Sequence, residues 1–88
     1  MKNKIVELIQ NSLVKLEIDG VDIHVETPKN TDNGDFSSNV AMQLTRVLRK
    51  NPRVIAEEII SNIEEDEAVE KIEIAGPGFI NFFVKKSS

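Results

Sequence analysis

Three features of the sequence predict an α+β fold in two layers: helical spacing of apolar residues, strand-like alternation, and turn-forming residues between such segments. We expect about three helices packed on one face of a small, mostly antiparallel sheet of about three to four strands. A chain of 88 residues has room for one domain, which would occupy residues 1–88.

Three segments carry apolar residues at helical spacing. The first covers residues 3–16, and the second leads from an N-cap at Asp35 or Ser37 to about Lys50. The third begins at Asn51-Pro52, because asparagine suits the N-cap and proline suits the first helical position. The predicted buried faces are Ile5, Leu8, Ile9, Leu13 and Leu16, then Val40, Leu44, Val47 and Leu48, then Ile55, Ala56, Ile59, Ile60 and Ile63.

Strand-like alternation occurs both before and after the second and third helices. Residues 21–26 alternate as a half-buried strand does, and residues 27–35 form a loop with room for a second short strand. The alternation returns at residues 69–74, and residues 79–84 are expected to run back antiparallel. Between these two, Gly76-Pro77-Gly78 supplies type II turn chemistry, with glycine accepting positive φ at the third position.

The composition limits the chemistry that the chain can perform. Hydrophobic residues make up 40% and charged residues 30%, as in ordinary folded soluble proteins. With no cysteine and with His24 as its single histidine, the chain has neither a thiolate site nor a histidine cluster. We therefore expect no metal, no cofactor and no catalytic site. No apolar run approaches the ~20 residues of a membrane span, which predicts a cytoplasmic protein without a membrane partner.

The charge balance restricts the kinds of partner. The net charge of −4 is the opposite of what a non-specific nucleic-acid binder needs, so any RNA contact has to be local. Part of the negative charge is the acidic run 64–67, which we interpret as a solvated connection. Four cations lie close together at the junction of the second and third helices: Arg46, Arg49, Lys50 and Arg53. They could bind phosphates, or they could stabilise the C-terminal end of the second helix.

The last predicted strand has a chemically distinctive face. Phe79, Asn81 and Phe83 share the face opposite to Ile80, Phe82 and Val84, and a two-layer fold leaves one face toward solvent or a partner. Aromatic rings can stack on a splayed base, and an amide can both donate to and accept from its edge. The alternative is that Phe79 and Phe83 wrap over a sheet edge or bury against an adjoining domain.

Three segments of the chain together resemble one family. Residues 34–44, 51–59 and 75–83, in this order and spacing, are similar to the amino-terminal additional domain of arginyl-tRNA synthetases. The resemblance implies an α+β two-layer domain that recognises the D-loop at the elbow of tRNA(Arg). It assigns base stacking to Phe79 and base-edge contact to Asn81, within the region that starts at Gly76 and includes Gly78.

Two positions depart from the family's pattern. Gly76 stands where some relatives have asparagine, so a side-chain contact is missing there, and Phe36 stands where tyrosine is frequent, so a hydroxyl is missing. The resemblance further implies that the catalytic domain, with its ATP and Mg, lies outside this chain, which on its own would be a monomer that catalyses nothing. Its expected partners are tRNA(Arg) and the catalytic domain of the parent synthetase, an arginine–tRNA ligase of protein synthesis. The alternative is a structural or protein-interaction domain that packs on a neighbour without touching RNA.

Overall fold

The computed structural model of the protein describes residues 2–29 and 34–85 and contains three helices and one four-stranded sheet in these ranges. The predicted α+β fold is confirmed. In chain order the elements are α1 (Lys2–Lys15), β1 (Val25–Glu26), β2 (Phe36–Ser38), α2 (Val40–Leu48), α3 (Pro52–Ser61), β3 (Val69–Ala75) and β4 (Phe79–Val84).

The sheet is antiparallel throughout, with the strand order β1-β2-β4-β3. Strand β4 is therefore internal and pairs with β2 on one side and with β3 on the other. In the register, Asn81 lies between Ser37 and Glu73, and Phe82 lies between Phe36 and Ile72. Because side chains alternate along a strand, Asn81 and Phe82 point to opposite faces of the sheet.

The core lies between the helices and one face of the sheet. On β4, Ile80 and Phe82 are fully buried against the helical layer. Helices α1 and α3 are also joined by a polar contact, since the buried Ser12 hydroxyl donates a 2.5 Å hydrogen bond to the carbonyl of Ile59. The helical residues that complete the core are Ile5, Leu8, Ile9, Leu13, Val40, Ala41, Leu44, Ile55, Ala56 and Ile59. These residues include most of the predicted faces, but Val47 is exposed.

The first two strands differ from the prediction. Of the predicted strand over residues 21–26, only the last two, Val25 and Glu26, join the sheet. The second strand lies just beyond the predicted loop, at Phe36–Ser38, and residues 30–33 of that loop lie outside the described residues. Pairing with β4, more than forty residues later in the chain, defines β2, and a local pattern does not report such pairing.

The ends of α2 also differ from the prediction. The N-cap residue is Asn39, not Asp35 or Ser37, and the Ser38 hydroxyl accepts a 3.3 Å hydrogen bond from the amide of Val40. The helix ends at Leu48, before the predicted Lys50, because Arg49 takes the left-handed conformation with φ of 53°.

The start of α3 confirms the prediction. Asn51 is the N-cap, and its side chain accepts a 2.9 Å hydrogen bond from the amide of Arg53. The acidic connection that follows α3 is held by two ion pairs to α1, Lys4 to Asp66 at 2.9 Å and Lys15 to Glu64 at 3.3 Å.

Candidate nucleic-acid interface

The turn between β3 and β4 is the centre of the candidate site. The amide of Gly78 donates a 3.3 Å hydrogen bond to the carbonyl of Ala75, so Gly76 and Pro77 are the central residues of the turn. Gly76 has φ of 56°, and positive φ at the first central position belongs to a type II′ turn, which the fixed negative φ of proline at the second position permits. The predicted type II turn, with its register one residue later, is therefore wrong.

The turn rests on the N-terminus of α3. The guanidinium of Arg53 donates a 2.6 Å hydrogen bond from Nη1 to the carbonyl oxygen of Gly76. Gly78 approaches the same helix end so closely that a Cβ built on it would lie 2.8 Å from the Cβ of Pro52. Since real Cβ atoms essentially never come this close, position 78 requires glycine.

Phe79 follows the turn directly and presents its ring at the molecular surface. It is 38% exposed, and one edge of the ring lies against the turn, because a Cβ built on Gly76 would be 3.5 Å from its Cδ2 atom. The ring thus lies beside the turn and is partly open to solvent. An aromatic ring in this state is a platform on which an unstacked base can lie.

Asn81 does not face solvent. It lies on the face of the sheet opposite to the helices, as predicted, but only 5% of it is exposed, so the expectation of an outward-pointing amide is wrong. It lies on the internal strand β4 between Ser37 and Glu73, and a Cβ built on Gly34 would lie 3.4 Å from the Asn81 Cβ. Alternation along a strand predicts the face of the sheet on which a residue lies, but it does not predict whether that face is exposed.

Phe83 is half-buried on the same face and has a cation above it. The ammonium of Lys71, on the paired strand β3, lies 4.5 Å from the centroid of the Phe83 ring. This is a cation–π contact, in which the ammonium occupies one face of the ring. The strand register places the two residues opposite each other. Alternation along β3 is therefore the sequence signal that could have predicted Lys71 on the same face as Phe83.

The four cations at the junction of α2 and α3 do not act alike. Lys50 binds the carboxylate of Glu58 at 3.0 Å, and Arg53 binds the turn. Arg46 and Arg49 are exposed, and within residues 2–29 and 34–85 neither side chain forms an ion pair or a side-chain hydrogen bond. In the described part of the chain, Arg46 and Arg49 are therefore the two of these four cations whose side chains have no partner.

Other kinds of site find little support in the described part of the chain. The side chains of residues 2–29 and 34–85 form no group of three or more that could hold a metal ion. No helix built from these residues has the length and apolar character needed to cross a bilayer. The imidazole of His24 lies 3.5 Å from the carboxylate of Asp22 on an exposed surface.

The fold and the site define a class of protein: a small α+β domain that presents an aromatic ring beside a tight turn and uncommitted arginines. A family model described as the arginyl tRNA synthetase N terminal domain matches residues 3–84, and the chain belongs to this family. The arginine–tRNA ligase 2 of Bacillus thuringiensis is 49% identical over 92 residues, which cover 99% of this chain and 16% of that protein. The arginine–tRNA ligase of Oceanobacillus iheyensis is 50% identical, over 97% of this chain and 16% of its own length.

Solved structures show the same relationship. The arginyl-tRNA synthetase of Plasmodium falciparum matches with a TM-score of 0.83 and 30% identity, over 97% of this chain and 16% of its own. The Thermus thermophilus arginyl-tRNA synthetase also matches with a TM-score of 0.83, at 25% identity, over 97% of this chain and 14% of its own. The chain thus spans about one sixth of the length of the relatives that it matches.

Proposed function

We propose that this chain is the tRNA-recognition domain of a cytoplasmic arginine–tRNA ligase, in which it contacts the D-loop at the elbow of tRNA(Arg). The catalytic domain of that ligase, which uses ATP and Mg to join arginine to tRNA, would be its second partner. The family membership supports the parent activity. The observation that carries the RNA contact is the exposed ring of Phe79, supported by the turn at Gly76.

The proposed contact divides roles among the candidate residues. Phe79 stacks on a nucleotide base, and the backbone of the turn from Gly76 to Gly78 borders the same nucleotide. Asn81 and Phe83 are not assigned a direct contact with the base, since Asn81 is buried and the Lys71 ammonium lies over the Phe83 ring. Arg46 and Arg49, whose side chains have no partner in the described part of the chain, bind phosphates of the same loop.

The energetics fit a domain that works only as part of a larger enzyme. One stacked base contributes ~1–3 kcal/mol, whereas association costs ~4–15 kcal/mol, so the isolated chain should bind tRNA with millimolar or weaker affinity. When other domains already hold the tRNA, the contact becomes intramolecular, with an effective concentration of about 1 mM. The domain then contributes to the selection of the tRNA more than to its capture.

The test is arginylation kinetics in the ligase that carries this domain. Phe79→Ala should raise the KM for tRNA about 5- to 150-fold, which corresponds to the loss of one stacked base. The KM values for arginine and ATP should stay unchanged, and Phe79→Trp should keep most of the affinity because it keeps an aromatic plane.

A matched control is Val14→Ala, which removes another exposed apolar side chain, 62% exposed on α1, on an element that carries none of the candidate residues. It should leave the KM for tRNA unchanged. If Phe79→Ala and Val14→Ala both charge tRNA at the wild-type KM, the RNA contact proposed for Phe79 does not exist.

One observation favours the alternative function, a domain that packs against a neighbouring protein surface. Val47 and Val54 are both exposed at the junction of α2 and α3, and exposed branched side chains suit a contact between domains. In that case Val47→Ser and Val54→Ser would loosen the docking of this domain in the ligase, as measured by limited proteolysis, with no specific change in the KM for tRNA.

A further inference from the structure

The contact between the N-terminus of α3 and the turn before β4 has a polar part and a packing part. The polar part is the 2.6 Å hydrogen bond from Arg53 Nη1 to the carbonyl of Gly76. The packing part is the approach of Gly78 to Pro52, in which a Cβ on Gly78 would lie 3.1 Å from the carbonyl carbon of Pro52. Gly76 and Gly78 are thus each held by a different residue of one helix end.

The helix end that supports the turn is itself rigid. The Asn51 side chain caps the amide of Arg53 at 2.9 Å, and the Asn51 carbonyl accepts a 3.1 Å hydrogen bond from Ile55. Proline at position 52 has a fixed φ, and Ile55 is fully buried in the core. The guanidinium of Arg53 therefore extends from a helical turn that has little freedom to move.

The turn needs such support because its own residues restrain it weakly. Gly76 and Gly78 have the largest conformational freedom of any residue type, and Gly76 and Pro77 are exposed. Within the turn, one 3.3 Å hydrogen bond joins Gly78 to Ala75. The contact from Arg53 removes freedom at the residue against which the ring of Phe79 lies.

We propose that Arg53 is a positioning residue for RNA recognition: it holds the carbonyl of Gly76 so that the turn presents the Phe79 ring in one orientation. This role differs from the phosphate contact that the sequence predicts for Arg53, and it rests on the proposed function of Phe79. A ring that is already ordered loses less freedom on binding, so the contact made by Arg53 raises the affinity for tRNA without Arg53 touching RNA.

The experiment is a double-mutant cycle in the ligase that carries this domain, with Arg53→Ala, Phe79→Ala and the double variant. Arg53→Ala should raise the KM for tRNA about threefold to tenfold and leave kcat unchanged. In the Phe79→Ala background, Arg53→Ala should have almost no further effect, because the ring through which it acts is gone. Hydrogen exchange of the segment at residues 75–80 should become faster in Arg53→Ala, since the turn loses a restraint.

The matched control is Arg46→Ala, which removes the same charge from a side chain with no contact to the turn in the described part of the chain. It should leave hydrogen exchange of residues 75–80 unchanged, and any effect on the KM for tRNA should be the same with and without Phe79. Additive effects of Arg53→Ala and Phe79→Ala, with unchanged exchange, would identify Arg53 as a direct phosphate ligand and overturn the proposal.

Failure of the proposed function gives a different result. If Phe79→Ala leaves the KM for tRNA unchanged while Arg53→Ala still accelerates exchange at residues 75–80, Arg53 does position the turn, but the turn does not serve RNA binding. If exchange is unchanged in Arg53→Ala, the positioning role is overturned regardless of what Phe79 does.

Discussion

The carboxylate of Asp35 accepts a 2.9 Å hydrogen bond from the backbone amide of Val84, 49 residues further along the chain. The amide of Asp35 also donates a 2.9 Å hydrogen bond to the carbonyl of Phe82. The Asp35 side chain thus extends the pairing of β2 with β4 beyond Phe36 and Phe82, the last paired residues. It joins the start of β2 to the end of β4. Asp35, predicted as a helix N-cap, has its role in the sheet.

The hydrogen bond accepted by Asp35 should be measurable as stability. Asp35→Ala leaves the part-buried amide of Val84 without its partner and should lower the free energy of unfolding by about 1–3 kcal/mol. Asp35→Asn, whose amide oxygen can still accept, should have a smaller effect. Urea unfolding of the two variants checks this, and equal stability of both with the wild type would show that the bond contributes nothing.

Gly78 should tolerate substitution less well than Gly20. Gly20 has φ of 70° and no atom within 4 Å of a built Cβ, so Gly20→Ala should cost only backbone strain, about 1–2 kcal/mol. Gly78→Ala adds a clash with Pro52 and should cost more than ~2 kcal/mol, because the turn has to leave the helix. Thermal unfolding ranks the two variants, and the reverse order would contradict the close packing of the turn on α3.

The ion pair between Lys4 and Asp66 should give stability a dependence on pH. The hydrogen bond from Lys4, and then that from the amide of Ala68, lower the pKa of Asp66 from its ordinary 3.8. The folded state then binds this proton less tightly than the unfolded chain, so the contribution is complete above pH 3.8 and is lost as the pH falls through the lower, folded value.

The same pair acts in the opposite direction at alkaline pH. The hydrogen bond to Asp66 raises the pKa of Lys4 above 10.5, so the contribution is complete below that pH and is lost above it. Urea unfolding at a series of pH values should show both losses in the wild type and a flatter profile in Asp66→Asn. Parallel profiles for the two proteins would mean that the pair adds no stability.

The two uncommitted arginines should determine how binding responds to salt. Replacing Arg46 and Arg49 together by alanine should reduce the slope of log affinity against log salt by about 0.7–0.9 for each phosphate that the protein no longer neutralises. Lys50→Ala should change the slope less, since its charge is already paired with Glu58. The affinity of the ligase for tRNA(Arg), measured across a range of salt concentrations, tests both, and an unchanged slope in the double variant would remove Arg46 and Arg49 from the interface.

Local periodicity is enough to predict the helices and the hairpin of β3 and β4. The N-cap at Asn51 and the inward positions Ile55, Ala56 and Ile59 follow from neighbours within a few residues, where helical spacing and capping chemistry operate. The face shared by Phe79 and Asn81 follows likewise from alternation along one strand.

The features that the sequence does not predict depend on contacts between distant residues. The three residues of β2 are a strand because they pair with β4, and Asn81 is buried although it lies on the face of the sheet opposite to the helices. The bond between Arg53 and Gly76 joins residues 23 positions apart, and no local pattern distinguishes Arg53 from the neighbouring Arg49. The site is thus predictable as a region, whereas the roles within it require the fold.

RNA contact at the turn is the central claim, and nuclear magnetic resonance titration of the 88-residue chain with tRNA(Arg) tests it directly. Shift changes are expected at the amides of Gly76, Gly78 and Phe79, with smaller changes near Arg46 and Arg49. With the tRNA at millimolar concentration, a titration in which the amides that move are confined to the surface around Lys71 and Phe83 would contradict RNA recognition by the turn.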